Sequence, residues 1–245
     1  MSGAVPGAAW LRPEIATAFV ESRRALIPLI DGQDELVRRL ITRGDRSVER
    51  FLDLGAGGGA FAALVMDVQP ESTGVLVDFS EPMAEAAREQ LAGYAGRWEY
   101  RLADLSRPGW ADGLPAGRYD AILSGFCIHH LPDERKRALY REAHDLLEPG
   151  GLFLNWEHVS ARGLGDGMLE EWMVDNLIAA EREREHPRPA DEVVREYLFA
   201  ADDDILADPH VQCGWLREAG FEAVDVFFQV PEIAIFGGVK AEAAA

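Results

Sequence analysis

The chain has 245 residues, 48% of them apolar, and a formal charge of −19. That length and apolar share suit one α/β domain over residues 1–245 and exclude extended disorder, while so acidic a surface disfavours nucleic acid, whose phosphates are held by Lys and Arg. No apolar run reaches spanning length and no cationic, apolar leader opens the chain, so a cytoplasmic protein without a membrane partner is expected.

Residues 1–9 are small and Gly- and Ala-rich, and read as a frayed start. Pro13–Ile30 reads as a helix with Ile15, Phe19 and Leu26 at helical spacing, and Gln33–Arg43 as a second helix stopped by Gly44. The two form a helical cap over residues 10–44. Strands are then expected at Val48–Leu54, Gly74–Asp78, Trp98–Ala103, Tyr119–Ser124 and Leu152–Glu157. Helices at Ala60–Val68, Glu81–Ala92 and Asp133–Leu147 separate them. Such alternation predicts a mostly parallel sheet with helices on both faces. It stops at residues 160–208, where charged helical stretches at Met168–Glu185 and Ala190–Ala201 flank His186-Pro-Arg-Pro189. That insertion reads as a helical lid. A helix at Val211–Ala219 follows, and then two apolar runs, Glu222–Phe228 and Glu232–Val239. Their connection, Gln229-Val-Pro231, is too short for a crossover, so the two strands must be antiparallel.

The chemistry concentrates at Phe51-Leu-Asp-Leu-Gly-Ala-Gly-Gly-Gly-Ala-Phe61. An apolar strand ends in glycines before a helix, a turn that lets the backbone approach a ligand. Val75-Leu-Val-Asp78 then ends in an acid suited to the two hydroxyls of a ribose. Gly55-x-Gly57-x-x-Ala60 also fits the dinucleotide fingerprint, so the loop alone leaves two cofactors open. Asp53 would oppose a pyrophosphate but can reach an ammonium or organise the loop. Asp104, after the third strand, can accept from an adenine amino group. The terminal hairpin is foreign to the usual dinucleotide fold.

With those motifs the chain resembles the class I S-adenosylmethionine (SAM)-dependent methyltransferases. The resemblance runs from about Asp53 to Lys240 and includes Val-Asp78-Phe-Ser-Glu-Pro-Met83, Ala-Asp104-Leu, Asp120-Ala-Ile-Leu-Ser-Gly-Phe-Cys-Ile-His-His130-Leu and Leu147-Glu-Pro-Gly-Gly151. It implies a Rossmann-like fold whose seven strands lie in the order 3-2-1-4-5-7-6, with strand 7 antiparallel. It implies SAM as cofactor, S-adenosylhomocysteine as product and a small molecule as methyl acceptor. Gly55, Ala56 and Gly57 would pass under the methionine part, with Asp53 near its ammonium. Asp78 would hold the ribose, while Phe79 and Met83 flank the adenine. Ala103, Asp104 and Leu105 would meet the adenine edge, and Ser124 would face the sulfonium. For each acid the competing role is a helix N-cap or a solvated loop carboxylate. A looser resemblance, mostly in layout, is to the carboxy-SAM synthase branch, for which Arg195 is the candidate carboxylate partner. A SAM-binding protein without catalysis is the third alternative.

Methyl transfer from a sulfonium is an in-line displacement that releases a neutral thioether, so alignment and proton removal are the protein's tasks. His129, Glu157 and His158, at the carboxyl ends of strands, are the candidate catalytic groups. His130 reads as a packing residue. Trp172, Tyr197 and Phe199 are candidates for the acceptor pocket, and Arg23 and Arg24 for the cofactor carboxylate. No His, Cys or Asp cluster has metal-ligand spacing along the chain, so no metal is expected. The two cysteines, Cys127 and Cys213, lack CxxC pairing and read as buried reduced thiols. A homodimer is compatible with the sequence.

Overall fold

The computed structural model describes residues 8–14, 16, 17, 20, 27–44, 46–115, 117–161, 163–184, 186–192 and 204–242. Seven strands form one sheet: β1 (Arg50–Leu54), β2 (Thr73–Asp78), β3 (Trp98–Leu102), β4 (Tyr119–Gly125), β5 (Leu147–His158), β6 (Phe221–Val230) and β7 (Ile233–Lys240). Their order is β3-β2-β1-β4-β5-β7-β6. The first five pair in parallel, and β7 runs antiparallel to both β5 and β6. The expected fold and terminal hairpin are both present.

The helices are α1 (Ile30–Thr42), α2 (Ala60–Val68), α3 (Glu81–Gln90), α4 (Asp133–Leu146), α5 (Met168–Arg182) and α6 (Pro209–Glu218). Alternating strand residues divide the core into two layers. Leu52, Leu54, Ile122 and Phe153 meet Leu139 and Tyr140 of α4 and Trp215 and Leu216 of α6. Phe51, Leu123, Leu154 and Trp156 meet Val37 and Ile41 of α1 and Phe61 and Val65 of α2. On α1, the buried positions Ile30, Gln33, Asp34, Val37 and Ile41 form the stripe that seats it. No helix among the described residues is long and apolar enough to cross a membrane.

Several element boundaries differ from expectation. The described residues of the first predicted helix, Pro13, Glu14, Ala16, Thr17 and Val20, are helical, but Ile27–Leu29 form a bend and turn. Leu29 is left-handed (φ 55°), which ends any continuous helix before Ile30. The fifth strand begins at Leu147, five residues early. Leu147 pairs with Tyr119 and Leu152 with Ala121, so the Glu-Pro-Gly-Gly turn signal is a bulge inside the strand. Cys213 lies buried within α6. Of the insertion, α5 is described, while Arg195, Tyr197, Phe199 and most of Ala190–Ala201 lie outside the described residues, as do Arg23 and Arg24.

Strand order reverses between β1 and β4. The carboxyl ends of parallel strands at such a reversal splay apart, and ligands bind in the crevice between them.

Candidate active site

At that crevice lies a cavity of about 190 Å³. One wall is the glycine loop, with Asp53, Gly55, Ala56, Gly57 and Gly58, and beside it Asp78, Phe79 and Met83. Cys127 packs against Gly55, and the lining also carries His129, His130, His158 and Asp204. Trp10, Val20, Leu169 and Met173 close the sides.

The loop is pinned to the end of β2. Gly55 and Ala56 N–H both donate to Val77 O, at 2.8 and 3.1 Å. Gly57 N–H donates to Asp78 Oδ2 (3.0 Å), and Ser80 N–H donates to Oδ1 (2.9 Å). Tyr100 adds a third hold, its hydroxyl donating to Gly57 O at 3.0 Å. Burial pushes the Asp78 carboxyl up from its ordinary value, against the pull of the backbone N–H groups of Ser80 and Gly57. Both Asp78 oxygens thus accept backbone N–H groups, and a carboxylate has about four lone-pair sites, so acceptor capacity remains. Asp53 is buried and its Oδ2 accepts from Ala62 N–H (3.1 Å), so it also organises the first turn of α2. Phe79 is exposed and Met83 buried, both on the cavity.

Four cofactor expectations do not reach the cavity. Ala103, Asp104 and Leu105 follow β3 and lie outside its lining. Ala103 N–H donates to Asp78 O (3.0 Å), which sets this stretch beside the ribose-type acid. Asp104 accepts from Ser106 N–H (2.9 Å) and pairs with Arg107 (3.1 Å), while the Leu105 side chain joins the core. Ser124 is likewise outside the lining. Its hydroxyl is buried and donates to Leu54 O at 2.8 Å, because the β1–β4 register places Ser124 against Leu54. Ser124→Ala should therefore cost about 1 kcal/mol of stability and leave ligand affinity within about twofold. A tenfold affinity loss in ligand titrations of the folded variant would return Ser124 to the site.

The candidate catalytic groups are brought together, in unequal roles. His129 and His158 line the cavity; Glu157 is fully buried behind them. Glu157 Oε2 accepts from His129 N–H (3.1 Å), and Oε1 lies 2.5 Å from His129 Nδ1 and accepts from His158 N–H (2.9 Å). Glu157 is thus a positioning residue. Burial works against an imidazolium at His129, but Glu157 and Asp204 outweigh it and raise the ring to about 9. Burial and the neighbouring His129 charge lower His130. Cys127, half-buried on the cavity rather than fully enclosed, has its thiol pushed well up by burial.

Asp204 escapes a sequence reading. It is the last of three consecutive aspartates, a pattern that reads as a solvated run. Yet its Oδ2 is 3.1 Å from His158 Nδ1, and its Oδ1 is 3.4 Å from His129 Nε2 and 3.2 Å from His130 Nδ1. Burial opposes its charge, but the three imidazoles hold its carboxyl far below the usual range. The next residue anchors it: Ile205 N–H donates to His129 O (2.8 Å), and the buried Lys136 ammonium donates to Ile205 O. The absence of metal-ligand spacing along the chain concealed this group, because its members come from three separate elements. Trp172 is exposed, and its neighbour Met173 faces the cavity instead.

Residues 51–151, from the start of β1 into β5, match the family described as methyltransferase domain. The strand order is that of the class I methyltransferase fold, and the matched residues lie on its first five strands. The chain is 30% identical over 122 residues to the ubiquinone/menaquinone biosynthesis C-methyltransferase UbiE of Desulfotalea psychrophila, covering 49% of this chain and 46% of that protein. It is 31% identical over 180 residues to the malonyl-[acyl-carrier protein] O-methyltransferase of Geobacter sulfurreducens, covering 73% of this chain and 57% of the relative. The chain therefore spans about half the length of these curated relatives. Human N-acetylserotonin methyltransferase, solved in complex with SAM, shares the fold with a TM-score of 0.62 at 15% identity, over 96% of this chain and 58% of its own.

Proposed function

We propose that this protein is a SAM-dependent methyltransferase acting on a small molecule. The observation that carries the reading is one cavity lined both by a pinned glycine loop with Asp78 and by an ionisable group of His129, His158 and Asp204. SAM supplies an electrophilic methyl group. Gly55, Ala56 and Gly57 hold its methionine part and Asp53 its ammonium. Asp78 holds the ribose hydroxyls, while Phe79 and Met83 flank the adenine, whose edge reaches toward Ala103, Asp104 and Leu105.

In the same cavity, His129 and His158 meet the acceptor, and Glu157 and Asp204 fix the two rings. Residues 160–208 act as a lid, with Leu169 and Met173 of α5 excluding water from the crevice. Residues 10–44 cap the cofactor side through Trp10, whose carbonyl accepts from the Ser80 hydroxyl (2.5 Å) at the start of α3. The acidic surface favours small acceptors over polyanions.

The test is native mass spectrometry of the purified chain, followed by incubation with SAM and a panel of phenol, enol, amine and thiol acceptors. Bound SAM or S-adenosylhomocysteine, and S-adenosylhomocysteine formed with at least one acceptor class, are expected. A bound ligand heavier than SAM by a carboxylate would instead indicate a SAM-modifying enzyme. Cofactor binding with no turnover on any acceptor would indicate a protein that only binds SAM.

A further inference from the structure

The ionisable group has the geometry of a metal site. His129 follows β4, His158 ends β5 and Asp204 precedes α6, yet one nitrogen from each histidine and one carboxylate oxygen all lie within 4.8 Å of one another. Asp204 oxygens are 3.1 Å from His158 Nδ1 and 3.4 Å from His129 Nε2. Ligands bound at about 2.1 Å to one ion and set about 90–110° apart are separated by roughly 3.0–3.4 Å. Hydrogen bonding alone does not account for the cluster. Asp204 Oδ1 is buried 3.4 Å from His129 Nε2 and 3.2 Å from His130 Nδ1, in poor hydrogen-bond alignment with both. Behind His129, Glu157 Oε1 grips Nδ1 at 2.5 Å, which fixes the ring and leaves Nε2 directed at Asp204. A carboxylate holding the far nitrogen of a ligating histidine is the usual outer support of a metal site. Charge points the same way: two carboxylates sit among the imidazoles, and a divalent cation would balance them.

We propose that His129, His158 and Asp204 bind one divalent first-row transition-metal ion, with Glu157 orienting His129. Two imidazoles and one carboxylate suit ions such as Fe(II), Zn(II), Co(II) or Mn(II). Three protein ligands leave further coordination positions, and the glycine loop lines the same cavity. An acceptor oxygen bound to the ion becomes more acidic, so the site would select acceptors bearing a hydroxyl or enolisable carbonyl. This choice of acceptor rests on the methyltransferase reading; the metal binding does not.

The experiment titrates the chelator-stripped, untagged 245-residue chain with Co(II), followed by its visible absorption, and competes the ion with Zn(II). One Co(II) per chain is expected. Asp204→Asn, which keeps the side-chain shape, and His158→Ala should each weaken binding by about a hundredfold, and Glu157→Gln by about tenfold. Circular dichroism and a SAM titration on each variant report whether the fold persists. Failure of the wild type to bind Co(II), Zn(II), Fe(II) or Mn(II) at about millimolar concentration would overturn the proposal. So would wild-type Co(II) affinity in folded Asp204→Asn. SAM binding without metal binding removes the metal site alone, and metal binding without SAM binding removes the methyltransferase reading alone.

Discussion

Asp78→Ala is expected to weaken SAM binding on the order of a hundredfold, since hydrogen bonds to a charged acceptor contribute about 1.5–3 kcal/mol each. The carboxylate does more than offer two oxygens to a ribose. It also accepts from Gly57 and Ser80 N–H, so it holds the glycine loop to the start of α3. Alanine removes both acceptors at once. Because Asp78 is only half-buried, water can replace part of what is lost, and the fold should survive with a stability loss of about 1–2 kcal/mol. Calorimetric titration with SAM and urea unfolding of the same preparation separate the two effects. Wild-type SAM affinity in the folded variant would remove Asp78 from the site.

Gly55→Ala should be the most damaging single change in the loop. Gly55 has a φ of +66°, where a Cβ costs about 1 kcal/mol. That Cβ would also lie 2.0 Å from Cys127 Sγ and 2.3 Å from Cys127 Cβ, an overlap no rotamer of Cys127 relieves because the second atom is fixed to the backbone. Overpacking of this kind costs about 1–3 kcal/mol, so a total loss of about 2–4 kcal/mol is expected in urea unfolding. The double variant Gly55→Ala/Cys127→Gly opens the space and should recover the steric part while retaining the backbone part. A Gly55→Ala protein of wild-type stability would show that the loop and the segment after β4 do not meet as described.

What the sequence made legible follows from how local each signal is. The strand ending in Asp53, the glycines after it and the strand ending in Asp78 are adjacent in the chain, and their burial and turn chemistry identify them without tertiary information. The terminal hairpin is legible for the same reason: Gln229-Val-Pro231 admits no crossover. For Ser124, its place at the end of a strand does not reveal which way the side chain turns. The β1–β4 register turns its hydroxyl onto Leu54 O. Glu157 and His158 are neighbours at the end of β5, yet one is enclosed behind His129 and the other reaches the cavity, the alternation that a strand imposes. Asp204 lies 46 residues beyond His158, and Lys136 and the His129 carbonyl, through Ile205, hold it beside the histidines. Local pattern carries none of that.

The glycine loop and Asp78 would also satisfy a dinucleotide, so the choice of cofactor is the central claim. Titrating the pure protein with SAM and separately with NAD by calorimetry tests it most directly. Saturable binding of SAM with no heat from NAD is the expected result; NAD binding without SAM binding would contradict it.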